Sequence, residues 1–182
     1  MKWGRYSDWG YDGQSEDILY EKMKSGWSKS STETDCGSGS EKRNTKKVTQ
    51  HLKYIVEKYN IITLSDAGAG DLNWFPDGLG VLYQGYDLYP RHEAVKKFDI
   101  IKDVLEPSDL ILCRHVLNHL SMEFTEKSIN NFILSGSKYL LITNCKNQRD
   151  YWNSFNYKIP GPSNLIETFD DCQHWDLELY KL

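Results

Sequence analysis

Ile61-Ile62-Thr63-Leu64-Ser65-Asp66-Ala67-Gly68-Ala69-Gly70-Asp71-Leu72-Asn73-Trp74-Phe75 is the stretch whose reading decides the fold. Its first five residues are a short apolar run, which reads as a buried strand. Asp66 ends the run, and Gly68 and Gly70 follow at once. A chain that leaves a strand and passes close to a ligand needs residues without a Cβ, because they alone combine positive φ with close backbone approach. Such a turn also serves purely structural ends, so its meaning depends on what lies further along.

Two acidic residues sharpen it. Asp87 ends the next strand candidate, Val81–Tyr86, 17 residues beyond Gly70. A carboxylate at the tip of a second strand can accept both hydroxyls of a ribose, as in doubly wound folds that hold nucleoside cofactors. Asp99 ends a third candidate, Lys97–Ile100, where an adenine amine could be bound with Ile100 against the ring. A dinucleotide would need G-x-G-x-x-G opening a long helix toward a pyrophosphate. Here Asn73 stands in place of the third glycine, and Asp71 adds negative charge where phosphates would sit. The phosphate-cradling G-x-x-x-x-G-K-[ST] loop is also absent from the chain. S-adenosylmethionine carries no phosphate and a sulfonium cation, so an acidic turn suits it.

Upstream, Val48, Leu52, Ile55, Val56 and Tyr59 recur at three- and four-residue spacing, which predicts an amphipathic helix from Lys42 to about Tyr59, with Ser40 as its N-cap. Downstream, Leu110–Cys113 and Tyr139–Asn144 read as strands flanking a helix from about Met122 to Leu134. Asn164–Phe169 and His174–Lys181 read as a terminal hairpin turning at Asp170-Asp171. Strands alternating with helices in the first part predict a parallel, helix-covered sheet. Residues 1–35 differ: Trp3, Tyr6, Trp9, Tyr11, Tyr20 and Trp27 sit among Gly, Ser and Asp. They read as an aromatic-rich arm or lid, with a short helix expected around Asp17–Lys24, ahead of a single domain over residues 36–182.

The formal net charge of -4, with no long basic block, argues against tight binding to phosphate backbones. The local run Glu41–Lys47 reads as the exposed start of a helix. Four cysteines, Cys36, Cys113, Cys145 and Cys172, show no metal-like spacing. With no apolar stretch over Met1–Tyr6 and no window near the roughly 18 apolar residues of a membrane helix, the expectation is a reduced, cytoplasmic protein away from membranes.

Four blocks now resemble the class I S-adenosylmethionine-dependent methyltransferases, and more narrowly a bacterial and phage-type subgroup with a D-A-x-x-G-D-x-N-W motif. They are Gly37-Ser38-Gly39-Ser40 with Thr45; Asp66 through Phe75; Asp109-Leu110-Ile111-Leu112-Cys113-Arg114-His115-Val116-Leu117-Asn118-His119-Leu120; and Ser135 through Asn144. The resemblance spans roughly Gly37 to Leu182, with the blocks in the expected order. It implies a Rossmann-like α/β fold with a seven-stranded, mostly parallel sheet whose last strand is antiparallel. It implies S-adenosyl-L-methionine as cofactor, held by Gly37, Ser40, Asp66, Ala67, Gly68, Gly70, Asn73, Trp74, Asp87, Leu88, Asp99, Ile100 and Cys113. Arg114 and His115 are its candidate catalytic pair, with no metal. Gly68-Ala69 replaces the subgroup's Pro-Cys, and His115 replaces its Asp.

Methyl transfer gains most from holding two reactants in attack geometry, and a hydroxyl acceptor also profits from a base. Neutral imidazole, with a reference pKa of about 6.5, suits that role; His115 is read either as this base or as a cofactor-lining residue. His119, four residues on, reads as a structural histidine on the same helical face, since no H-E-x-x-H pattern surrounds the pair. The [DNS]-P-P-[YFW] motif of amine methyltransferases acting on flipped bases is missing after the fourth strand, as is the Pro-Cys of cytosine C5 enzymes. These absences argue against DNA and leave RNA open. The reading is therefore methyl transfer to a small molecule, sugar or glycan hydroxyl. Its rivals are a lyase or hydrolase consuming the same cofactor, or an inert cofactor-binding module.

Overall fold

The computed structural model describes residues 31–145, 164–172 and 175–182, together with Glu21 and Pro162. Most of the aromatic arm, and the helix expected around Asp17–Lys24, lie outside these described residues.

Helix α1, Lys42–Lys58, buries Thr45, Val48, Leu52 and Ile55 on one face. That face packs on Leu64, Leu110, Leu112, Leu141, Leu177 and Leu179 of the sheet. Its cap differs from the expectation. Glu41, not Ser40, occupies the N-cap position without a side-chain cap bond, and the Ser40 hydroxyl turns back to the Cys36 carbonyl at 3.5 Å. The helix ends where Asn60 takes φ of 51° and the Ile61 N–H reaches the Val56 carbonyl, the left-handed C-terminal closure that Asn tolerates. Helix α2, Met122–Leu134, opens with Ser121 as N-cap, its hydroxyl accepting from the Phe124 N–H at 3.2 Å. It packs Ile129 and Phe132 on the opposite face of the sheet.

Between the helices run β1 (Thr63–Ala67), β2 (Leu82–Asp87), β3 (Val95–Lys97), β4 (Leu110–Cys113), β5 (Tyr139–Cys145), β6 (Leu165–Cys172) and β7 (Trp175–Lys181). They form one sheet in the order β3-β2-β1-β4-β5-β7-β6. Pairings from β3 through β5 are parallel, and β7 runs antiparallel to both β5 and β6. This is the seven-stranded sheet with an antiparallel last strand that the sequence implied.

Three expectations need correction. First, β3 ends at Lys97, so Asp99 lies beyond it, in a turn where the Lys102 and Asp103 N–H groups return to the Asp99 carbonyl. Second, Asp170 and Asp171 belong to β6, which continues to Cys172, so the hairpin turns after them. Third, no helix covers the sheet between β1 and β4. Loop side chains do that work. On the α1 side Trp74, Phe75, Leu79 and Val81 pack with Tyr83, the Phe75 and Tyr83 rings 3.9 Å apart. On the α2 side Phe98, Ile100 and Ile101 pack with Tyr86. A few large aromatic side chains can bury the area of a helical stripe.

Candidate active site

The strand order reverses between β1 and β4, and the crevice beyond the carboxyl ends of such strands is where open α/β sheets bind ligands. The structure brings Asp66, the glycine turn, Asp87, Arg114 and His115 to this one end. Strand register explains it. Asp66 pairs with Gly85 on one side and Leu112 on the other, so the ends of β1, β2 and β4 lie level.

On the β1–β2 side the carboxylates are held by neutral donors. The Tyr83 hydroxyl donates to Asp66 at 2.9 Å. Burial pushes the Asp66 carboxyl up to about 7, against the pull of Tyr83. Asp87 accepts the Gly70 N–H on Oδ2 at 3.0 Å and the Tyr89 N–H on Oδ1 at 2.9 Å. Burial still keeps its carboxyl above the usual range. The glycines are required here. A Cβ on Gly68, with φ of 104°, would stand 2.2 Å from Val116 Cγ2, and one on Gly70, with φ of 60°, 2.5 Å from Cys36 Sγ.

Residues 33–40 cross this turn as a strap. The Thr34 hydroxyl and the Asp35 N–H donate to Asp71 Oδ2 at 2.6 and 3.1 Å. The Asn73 amide donates to Glu33 Oε1 at 2.8 Å and to the Ser40 carbonyl at 2.9 Å. Asp71 and Asn73 therefore fasten the strap. Burial would raise the Asp71 carboxyl, but these donors bring it below the ordinary value. Cys36 is half-buried, and burial pushes its thiol up to about 11, so it stays protonated. Of the other candidates, Asp99 Oδ1 accepts the Ile101 N–H at 3.0 Å, Ile100 packs with the α2-side core, and Cys113 is buried in that core. Leu88 is partly buried beside Asp87.

On the β4 side the arrangement is ionic. Arg114 meets Asp171 with Nη2–Oδ1 at 2.8 Å and Nε–Oδ2 at 3.1 Å, both side chains being almost wholly buried. Its Nη1 donates to the Gly39 carbonyl at 3.0 Å, and its Cζ lies 5.2 Å from the centroid of Trp74. Asp171 Oδ2 also lies 3.0 Å from His115 Nε2. His115 keeps 20% of its side chain exposed, so solvent reaches it. Its φ of 53° is uncommon for a non-glycine residue; the Thr143 hydroxyl, accepting the His115 N–H at 3.0 Å, and the Asp171 contact hold it there. The Trp175 ring meets the imidazole edge at 5.5 Å.

Burial, then the Arg114 charge, hold the His115 pKa below its ordinary value, with Asp171 opposing. The imidazole is therefore neutral near pH 7, the form in which the ring can accept a proton. Burial and His115 push His119 down to about 3. The two histidines do not lie one α-helical turn apart as expected, because Leu117–His119 forms a 3-10 turn after the left-handed His115. No three His, Cys, Asp or Glu side chains among the described residues group as a metal site. Beside His119, Asn118 is buried and its Oδ1 has no hydrogen-bond partner among the described residues. A hydroxyl or a water would satisfy such an acceptor.

Sequence reasoning missed Asp171, Tyr83, Thr143 and Trp175. Asp171 stands 57 residues from Arg114, and nothing in one sequence pairs them. Tyr83 carried a local signal, since alternation along β2 turns it to the same face as Asp87.

Architecture and site together define the Rossmann-like class I methyltransferase fold. Among solved structures, magnesium protoporphyrin IX methyltransferase from Synechocystis PCC 6803 with bound SAH is similar at a TM-score of 0.55 and 12% identity, over 92% of this chain and 94% of that one. The methyltransferase domain of bacterial Hen1 gives 0.52 and 10% identity over 76% and 99%, and human N-acetylserotonin methyltransferase in complex with SAM gives 0.52 and 11% over 73% and 51%. No family model matches the chain, and no curated protein matches it in sequence.

Proposed function

We propose that the chain is an S-adenosylmethionine-dependent methyltransferase acting on a hydroxyl of a small molecule, sugar or glycan, with His115 as general base. One observation carries this reading. A neutral imidazole, oriented by a buried carboxylate, stands at the tip of β4 across from the glycine turn and its carboxylates.

The residues of the crevice fit the cofactor. Each Asp87 oxygen spends one lone pair on a backbone N–H and keeps another for a ribose hydroxyl. Asp66, Asp71 and Asp87 make the turn acidic, which suits a sulfonium and opposes a pyrophosphate. The strap supplies Gly37, with φ of 82°, and the open Cβ side of Gly39 for a small polar group. When bound, the sulfonium supplies the methyl group.

The chain's own residues then orient and deprotonate. Asp171 accepts from His115 Nε2, which orients the imidazole, and the neutral ring takes the proton of the acceptor hydroxyl. Arg114 balances the Asp171 charge, so the carboxylate that orients His115 is itself neutralised. That balance supports an uncharged acceptor. The similar folds of enzymes whose names and contents specify methyl transfer and SAM or SAH support the cofactor.

Calorimetric titration with S-adenosylmethionine and S-adenosylhomocysteine tests the reading. Micromolar binding of both, weakened at least about tenfold in Asp87→Ala, is expected from the loss of two ribose contacts. A folded wild-type protein that binds neither would overturn it.

A further inference from the structure

Arg114 divides its guanidinium between two parts of the site that the chain builds separately. Nε and Nη2 hold Asp171, which holds His115. Nη1 holds the carbonyl of Gly39, in the strap over the glycine turn. The strap is fastened to that turn through Asp71 and Asn73, and Trp74 of the same loop stacks against the guanidinium.

We propose that Arg114 is a positioning residue that joins the strap to the Asp171–His115 pair, so that His115 is held in its reactive pose only while the strap lies on the glycine turn. The proposal rests on the reading of His115 as the base. Its physical ground is the rigidity of the guanidinium, whose donors cannot be re-aimed independently. The Arg114 side chain is 3% exposed with the strap in place, and lifting the strap would take the Gly39 carbonyl away from Nη1. The fork would tilt to recover a partner, and Asp171 and the imidazole would follow. Two glycines give the strap backbone freedom. Gly37 takes φ of 82°, and nothing lies within 4 Å of a Cβ on Gly39.

Among the described residues, the charged and titratable groups facing His115 include Arg114 on its own strand end, Asp171 from β6 and His119 from the 3-10 turn. Strands β5 and β7 present Thr143 and Trp175, which do not titrate in this range. Opening the strap lets water toward the imidazole and relieves its burial, the largest influence holding the midpoint down, so the His115 titration midpoint is expected to rise.

The experiment is an NMR titration of the His115 ring proton in cofactor-free protein, its resonance identified among the five histidines by its loss in His115→Gln. Asn73→Ala removes two strap fasteners without touching Arg114, Asp171 or His115. Its midpoint is expected to rise by about half a pH unit. In Arg114→Lys, which keeps the charge and loses the fork, adding Asn73→Ala is expected to produce no further rise. Faster amide exchange over residues 36–40 in Asn73→Ala, with an unchanged His115 midpoint, would overturn the proposal. So would an equal rise in the Arg114→Lys background. The titration uses no cofactor, so its failure is separable from a failure of S-adenosylhomocysteine binding, which calorimetry reads.

Discussion

The two walls of the crevice hold their carboxylates differently. On the β1–β2 wall, Asp66, Asp71 and Asp87 rest on hydroxyls and backbone N–H groups, which leave uncancelled the charge of each ionised carboxylate, Asp66 being only partly ionised near pH 7 because burial raises it to about 7. On the β4 wall, Asp171 rests on a guanidinium and an imidazole, and the charges cancel. Neutral donors satisfy an oxygen while preserving the field it projects; an ion pair satisfies the oxygen and removes the field. One wall therefore attracts a cation, and the other is prepared for a neutral group. The second wall is also the more brittle, because a buried ion pair that loses one member leaves an uncompensated charge.

The largest expected effect tests that brittleness. Asp171→Ala strands the Arg114 charge and is expected to cost about 3–5 kcal/mol in urea unfolding, whereas the paired change Arg114→Met with Asp171→Leu costs far less. If the double variant is as unstable as the single one, the charge is not the cause and the contrast between the walls fails.

A second effect tests the close packing of the acidic wall. Gly68→Ala forces a Cβ against Val116 at positive φ and is expected to cost about 2–3 kcal/mol. Serine or alanine at Gly39, where nothing lies nearby, is expected to change the unfolding midpoint far less.

The walls should also titrate in opposite senses. Asp66, raised to about 7, binds its proton more tightly in the folded protein, so its contribution to stability is present below pH 4 and is lost as pH rises toward 7. His119, lowered to about 3, does the reverse: stability is present above about pH 6.5 and is lost as pH falls toward 3. Asp66→Asn is therefore expected to gain on wild type between pH 5 and pH 8, by on the order of 2 kcal/mol, and His119→Gln to gain between pH 6.5 and pH 4. Unfolding midpoints that move in the same direction for both variants would erase the distinction.

The smallest effect concerns the strap. Thr34→Val removes the hydroxyl that donates to Asp71, at an expected cost of about 1 kcal/mol. The cost is read in urea unfolding, and an unchanged midpoint would mean that the Thr34 hydroxyl does not fasten the strap.

Much of the architecture was legible because it is local. Helix α1 follows from apolar residues repeating at the helical period, and Leu110–Cys113 coincides with β4 because a fully buried strand is continuously apolar. The glycine turn was legible because positive φ and close approach leave few residue types able to stand there. Asp87 was legible from its place at the end of β2. What the local pattern could not show was how the sheet between β1 and β4 is covered. Loop aromatics such as Phe75 and Phe98 have no period, and the rule of strands alternating with helices wrongly supplied helices.

By itself, then, the sequence determined where most of the strands fall along the chain, the two helices and the acidic turn, since each depends on residues adjacent along the chain. Tertiary structure alone decided the partner of Arg114 and His115 on the β4 wall. Asp171 reads locally as half of a polar turn, and only the antiparallel pairing of β6 with β7, which puts Cys172 opposite Trp175, carries it to the end of the sheet where Arg114 and His115 stand. A contact between residues 57 apart leaves no periodic trace, because it is made by the closure of the sheet and not by the conformation of either segment.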